Sequence, residues 1–362
     1  MGRHARIIAL TGVLALAACT GIGTDDEGQA GDPAQTQTQA PGATSAAPTP
    51  TEGAGDEESE GTAGGDPGGD ADDAATGSAS PGDGGAHGDG ADVTTDGQAE
   101  LPRGGRELFP DYALVGYVGH PDSEAMGRLG IGDPDERAGE IETELADFAG
   151  DRELMPVLEL VVSVAHPVPG ADGTYRTQMA DGTIEDFLEL ARRHDALLLL
   201  NIQTGAVPFP EEVHDFEQWL VQPDVGVALD PEWAVAPGQV PGQVYGRTTG
   251  AELDEVAAYL AGLVEEHDLP EKAMVYHQVH ASVVQDEAGL TEHEGVAAIK
   301  SVDGIGHPLD KVYTYDLVNA STPEHVHGGF KIFLEEDAEY GPLMTPEEVA
   351  ELDPEVEYLM VE

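Results

Sequence analysis

Cysteine is nearly absent from this chain: Cys19 is the only one in 362 residues. One cysteine excludes an intrachain disulfide and any zinc site built from several thiolates. Positive charge is scarce as well. Fifteen Lys and Arg stand against 71 Asp and Glu, for a net charge of -56. A field of that sign repels phosphate backbones and offers no polybasic patch to an anionic membrane, so no nucleic-acid partner is expected. Long apolar runs are missing too. The N-terminal run at 7–18 has 12 residues, about 18 Å as a helix, too short for a hydrocarbon core of about 30 Å. No GxSxG occurs, so a serine nucleophile has no support. The first strand-like run leads into Gly119-His120-Pro121 rather than a GxGxxG turn, which argues against a dinucleotide fold. We expect no cofactor and no bound metal.

The N-terminus carries signals of its own. Arg3, His4 and Arg6 precede the apolar run, and the run ends in Leu16-Ala17-Ala18-Cys19. Charge, length and small residues are those of an export signal rather than a membrane span. The last four residues resemble a bacterial lipobox, in which the cysteine receives a lipid before cleavage. The resemblance implies a signal peptide over 1–18, lipidation of Cys19, and a partner in the cell membrane reached through that anchor on its extracytoplasmic face. It also accounts for the lone thiol.

Residues 19–105 are Gly, Ala, Asp, Glu, Thr, Pro and Ser with almost no large apolar side chain. Such a composition cannot bury enough surface to offset chain entropy, so the segment reads as a disordered acidic tether that adds nothing to folding. A chain of this length spans on the order of 50 Å.

From residue 106 the texture changes. Strand-like runs at 113–118, 155–165, 196–202, 225–229, 273–279, 296–302, 330–334 and 358–361 alternate with amphipathic stretches at 135–148, 183–194, 249–267 and 345–352. The stretch at 183–194 has Thr183 as its cap, and Thr345-Pro346-Glu347-Glu348 is a second cap signal. Eight strands with helices between them, over about 250 residues, give an α/β chain of the (β/α)8 TIM-like barrel type that lacks the last helix. A doubly wound open sheet is the alternative. The domain (106–362) is expected to be a monomer. Its only lysines are Lys272, Lys300, Lys311 and Lys331; an acidic surface so poor in Lys suits high ionic strength.

Barrels keep their chemistry at the C-terminal ends of strands. Those ends carry His120, His166, Gln203, Asp230, Glu232, Trp233, His277, His280, Asp303 and Glu335. Strand four is the most telling. Val225, Val227 and Leu229 share one parity and should face helices, so Gly226, Ala228, Asp230 and Glu232 point to the barrel axis. Two carboxyls on one strand face, partly desolvated, drive their pKa values apart, which suits a proton donor and an anionic helper. Trp233 offers a stacking face for a sugar. Gln203, His120, His277, Asp303 and Glu335 complete a candidate substrate site, and Lys331 with Glu335 has the parity for an inward salt bridge. The repeated Pro-Gly-Gln-Val at 237–244 could form a lid or a rigid loop.

The stretch from Val225 to Glu232 resembles the strand-four Asp-x-Glu signature of barrel glycosidases of the chitinase and lysozyme-like muramidase type. The resemblance implies Glu232 as acid and Asp230 as helper; Val225 and Ala228 stand where the chitinase pattern has acidic residues. Leu229-Asp-Pro-Glu-Trp233, Val302-Asp-Gly-Ile-Gly306 and Phe330-Lys-Ile-Phe-Leu-Glu-Glu-Asp337 also resemble exported barrel domains of actinobacterial lipoproteins, which brings no activity. The expectation is a surface lipoprotein whose barrel binds, and in the enzymatic reading hydrolyses, a cell-wall or environmental glycan. A non-catalytic binding or scaffold barrel is the alternative. A metal-dependent hydrolase using His120, His166 and one of His277 or His280, with Asp230 or Asp303, is a third. The lipobox makes one direct prediction: Cys19→Ala moves the protein from the membrane fraction to the medium or leaves it unprocessed. Unchanged partition, with no lipid mass on the mature N-terminus, refutes it.

Overall fold

Eight runs of branched apolar residues bury both of their faces, as strands of an all-parallel sheet must. The computed structural model describes residues 98–362. Cys19, the export signal and the tether up to residue 97 lie outside the described residues. The barrel strands are β1 (Tyr112–Gly119), β2 (Glu153–Ala165), β3 (Leu197–Ile202), β4 (Val225–Leu229), β5 (Lys272–Gln278), β6 (Val296–Val302), β7 (His327–Ile332) and β8 (Val356–Val361); three further strands of two or three residues lie in the loops. Each barrel strand pairs in parallel with the next. The sheet closes through β1 and β8, with Leu114 opposite Tyr358 and Tyr117 opposite Val361. The chain is therefore a closed eight-stranded α/β barrel of the TIM-like type.

The helices between strands are α1 (Pro134–Glu144), α2 (Asp181–Arg193), α3 (Phe209–His214), α4 (Glu217–Leu220), α5 (Gly250–His267), α6 (Pro308–Asn319), α7 (Glu336–Tyr340) and α8 (Pro346–Ala350). Between β5 and β6 there is no α-helix, only a short strand at Val284–Gln285 and a 3-10 turn at Glu287–Gly289, and among the described residues no helix follows β8. One of the two caps read from the sequence holds, that at Thr345, and a further cap stands at Thr249. Thr249 accepts from Glu252 N at α5, and Thr345 with Glu348 forms a capping box at α8. At α2 the helix begins at Asp181, two residues before the expected Thr183 cap, and Ala180 caps it with no side-chain bond. Its amphipathic face, Ile184, Phe187, Leu188 and Ala191, packs on the barrel, so tertiary burial rather than a cap fixes where it starts.

Two apolar layers result. Val225, Val227 and Leu229 of β4 face the helices, while Ala228 joins Leu114, Val157, Leu199, Val275 and Ile299 inside the barrel. Gly226 shares the inward parity; a Cβ there would stand 2.6 Å from Ala273 O on the neighbouring strand, so only glycine lets β4 and β5 approach. The interior is apolar toward the N-terminal ends of the strands and polar toward the C-terminal ends.

The bottom is closed by residues on both sides of the expected boundary at 106. Leu101 and Leu108, both fully buried, join the interior cluster with Tyr112. Tyr112 OH donates to Arg103 O at 2.9 Å, and Leu108 N donates to Glu271 Oε2 at 2.7 Å. The folded unit thus reaches upstream of residue 106. A single leucine in a polar segment is invisible to composition, yet it is enough to plug a barrel. Leu101→Ala should cost about 2–5 kcal/mol in chemical denaturation. A protein beginning at Arg106 should be less stable than one beginning at Gln98; equal stability of the two would show that the plug is dispensable.

Candidate functional site

The polar end of the barrel gathers one side chain or more from seven strands. Glu159 comes from β2, Asn201 from β3, Asp230 from the end of β4, His277 from β5, Ser301 and Asp303 from β6, Lys331 from β7 and Tyr358 from β8. All are buried. Burying this many charges is costly unless each finds a partner. His277 Nδ1 lies 3.0 Å from Asp303 Oδ1, and its Nε2 lies 3.1 Å from Glu159 Oε1 and 3.9 Å from Asp230 Oδ1. The Nε2 contacts are ion-pair contacts without hydrogen-bond alignment. Lys331 Nζ stands 2.8 Å from Glu362 Oε2 and 3.4 Å from Asp303 Oδ2. Ser301 Oγ donates to Asp303 at 3.0 Å, and Tyr358 OH donates to Glu159.

Asn201 and Gln203 hold Asp230. Asn201 Nδ2 donates to Glu159 Oε1 at 2.8 Å and to Asp230 Oδ1 at 3.1 Å; Gln203 Nε2 donates to Asp230 Oδ2 at 3.3 Å. The chain then turns through a 3-10 segment at Pro231–Trp233, which carries Glu232 and Trp233. Strand alternation predicted an inward Asp230, and it lies at the cluster. Glu232 reaches the same cluster by the turn, because the strand ends at Leu229. Its carboxyl is half-buried, and Oε2 has no hydrogen-bond partner among the described residues.

These surroundings set the charges. Burial opposes ionisation of Asp303, but His277 and Lys331 outweigh it and hold its pKa below the ordinary carboxylate range. Glu159 is lowered against burial by His277, Lys331 and Tyr358. Burial also opposes the charged form of His277, yet Asp303 and Glu159 raise its pKa well above the usual imidazole range. At neutral pH His277 is a buried imidazolium. Asp230 goes the other way: burial pushes it up to about 6 despite His277 and Lys331. Burial, and then the charges of Asp230 and Asp303, raise Glu232 well above the ordinary range. One carboxyl whose protonated form is favoured by burial thus stands beside others whose ionised form is favoured by cations.

The loop after Trp233 is a pair of tight turns. Gln239 N donates to Ala236 O at 3.0 Å and Gln243 N to Val240 O at 3.1 Å. Each turn has Pro at its second position and Gly at its third, with φ 84° at Gly238 and 78° at Gly242, the type II pattern. The repeated Pro-Gly-Gln-Val thus encodes a repeated turn. Gly242 lies against the Trp233 ring, and Tyr245 stacks on His280 with centroids 6.0 Å apart. Tyr245 is also close enough to Glu232 for its phenol pKa to be raised by burial and by that charge.

Other sequence-derived residues fall outside the cluster. His120 Nδ1 accepts from Asp122 N in a local turn, and burial lowers the pKa of its ring. Glu335 is exposed at the start of α7. Lys331 therefore pairs with Asp303 and Glu362 instead of Glu335, since β7 ends at Ile332 and alternation stops there. The histidines of the metal reading are not assembled. His166 Nε2 lies 3.0 Å from Thr177 Oγ1, His280 is exposed, and only His277 is inside. Among the described residues no three His, Cys, Asp or Glu side chains are placed to hold a metal ion. Sequence reasoning left out Asn201 and Tyr358 as site residues, and gave Glu159 no role. Their inward parity, two residues before or after apolar interior positions, was the available signal. No family model matches the chain, and no curated protein is similar to it.

The raised Asp230 gives stability a definite pH dependence. Unfolded, its carboxyl ionises near 3.8; folded, it holds its proton to about 6. The folded state binds more protons between those values, so its contribution to stability falls as pH rises through that window. Asp230→Asn removes the titration. Denaturation at several pH values should show the variant gaining on the wild type by roughly 2–3 kcal/mol between acid and neutral pH. Parallel curves for the two proteins would refute the assignment.

Proposed function

We propose that the barrel binds a cell-wall or environmental glycan and cleaves its glycosidic bond, with Glu232 as proton donor and Asp230 as the carboxylate helper. The feature that carries this reading is the Glu232 carboxyl, set beside Asp230 where burial and the charges of Asp230 and Asp303 raise its pKa well above the ordinary carboxylate range. Its Oε2 is buried without a hydrogen-bond partner among the described residues, so its proton is not committed to another side chain. Asp230 beside it is held in place by Asn201 and Gln203, as a residue that stabilises developing positive charge on a sugar must be. Tyr245 lies close to Glu232 and Trp233 follows Glu232 in the same turn; aromatic rings are the kind of surface on which sugar rings stack. His277, Asp303 and Gln203 act as positioning residues through Asp230 and Glu159. The protein presents this domain at the outer face of the cell membrane through a lipid on Cys19.

One observation favours the non-catalytic alternative. Asp230 is 6% exposed, with both carboxylate oxygens already accepting hydrogen bonds, which suits a rigid binding or scaffold barrel. Glu232→Gln separates the two readings, because it removes the titrating group and keeps size and polarity. In assays on peptidoglycan and chitin-type oligomers, the variant should lose at least about a hundredfold in turnover while glycan affinity is retained. If both proteins bind a glycan and neither cleaves it, the hydrolase reading fails and the binding reading stands.

A further inference from the structure

The charge balance at the mouth of the barrel bears on the class of sugar it takes. Glu159, Asp230, Glu232, Asp303 and Glu362 bring five carboxyl groups to two cations, His277 and Lys331. Both cations are committed. Lys331 sits between Glu362 at 2.8 Å and Asp303 at 3.4 Å, and His277 between Asp303 at 3.0 Å and Glu159 at 3.1 Å. The nearest cation to Asp230 is His277 Nε2 at 3.9 Å. Tyr358 and Tyr245 also face this group of carboxyls, and neither brings positive charge.

A second observation concerns hydrogen bonding. Asn201 is 1% exposed, and its Nδ2 is shared between Glu159 and Asp230. Its Oδ1 is a buried acceptor with no donor among the described residues. Buried polar atoms of this kind are normally satisfied, so the cluster lacks a donor as well as a cation. An ammonium supplies both, with three N–H groups on one positive charge. The acetamide of an N-acetylated sugar supplies a single N–H and no charge.

We propose that the sugar recognised here carries a free, protonated amino group, which pairs with Asp230 while Glu232 stays available to the glycosidic oxygen. This inference rests on the glycan reading of the same site. It differs from general attraction of amines to a chain of net charge -56, because surface attraction is screened over about 8 Å at 0.15 M salt and about 3 Å at 1 M, whereas a buried pair is screened far less.

Calorimetric titration of the full-length protein with short glucosamine oligomers and N-acetylglucosamine oligomers of the same length tests it. The free-amine oligomer should bind at least about tenfold tighter, at 0.15 M and at 1 M salt alike. Asp230→Asn should abolish that preference, and Asp230→Glu, which keeps the charge, should retain it. Equal binding of the two oligomers overturns the inference and leaves the glycan reading intact. A preference that vanishes at 1 M salt, or survives Asp230→Asn, assigns it to the surface and also overturns the inference. Should Asp230→Asn not fold, the salt comparison on the wild type decides. Binding of neither oligomer overturns the glycan reading and the inference together.

Discussion

Asp303 takes both buried cations of the barrel mouth on one carboxylate, His277 on Oδ1 and Lys331 on Oδ2. Everything polar in the upper barrel is arranged around that bridge. His277 is charged because Asp303 and Glu159 flank it, and Glu159 is ionised because His277, Lys331 and Tyr358 face it. Removing one member of such a group strands the others as uncompensated buried charges, typically at about 3–5 kcal/mol. The ions therefore stand or fall together. Asp230 and Glu232 lie at the edge of the network, where carboxyls outnumber cations, and there burial raises both pKa values instead of cations lowering them.

The same rule governs all four lysines. Lys272, Lys300, Lys311 and Lys331 are each 5% exposed or less. Lys300 pairs with Glu287 at 2.8 Å, Lys311 with Asp337 at 2.7 Å, and Lys272 donates to the carbonyls of Gln222 and Val225. The acidic surface of the described residues therefore carries no lysine. Its cations are arginines, among them Arg152 and Arg193, each bound to neighbouring carboxylates. Scarcity of lysine, read from the sequence as a property of the surface, is equally a property of the interior: those that remain pin loops and strand ends.

Glycine, proline and the apolar layers divide the remaining work. β4 can lie against β5 because position 226 has no side chain. The turns at 236–243 bring the loop back over Trp233 with hydrogen bonds fixed by their Pro-Gly pairs. Leu101 and Leu108 close the opposite end and keep water from the apolar half of the interior. The polar cluster thus has water on one side only, a condition that keeps effective dielectric low and pKa shifts large.

The eight strands and the parity of β4 are legible in the order of residues, because burial on both faces demands continuous branched residues and alternation is a local property of a strand. That order placed Asp230 inward for the same reason. It also marked the cap of α8, whose partner is three residues away. The tertiary structure alone decided what those side chains meet. Alternation ends where a strand ends, so Glu335 was misplaced once β7 stopped at Ile332, and Glu232 arrived by a turn. The Asn201, Glu159 and Tyr358 contacts join positions up to 199 residues apart, and Leu101 belongs to an interior cluster that also contains Tyr358 and Met360. Such pairings depend on closure of the whole sheet through β1 and β8, which no local pattern contains.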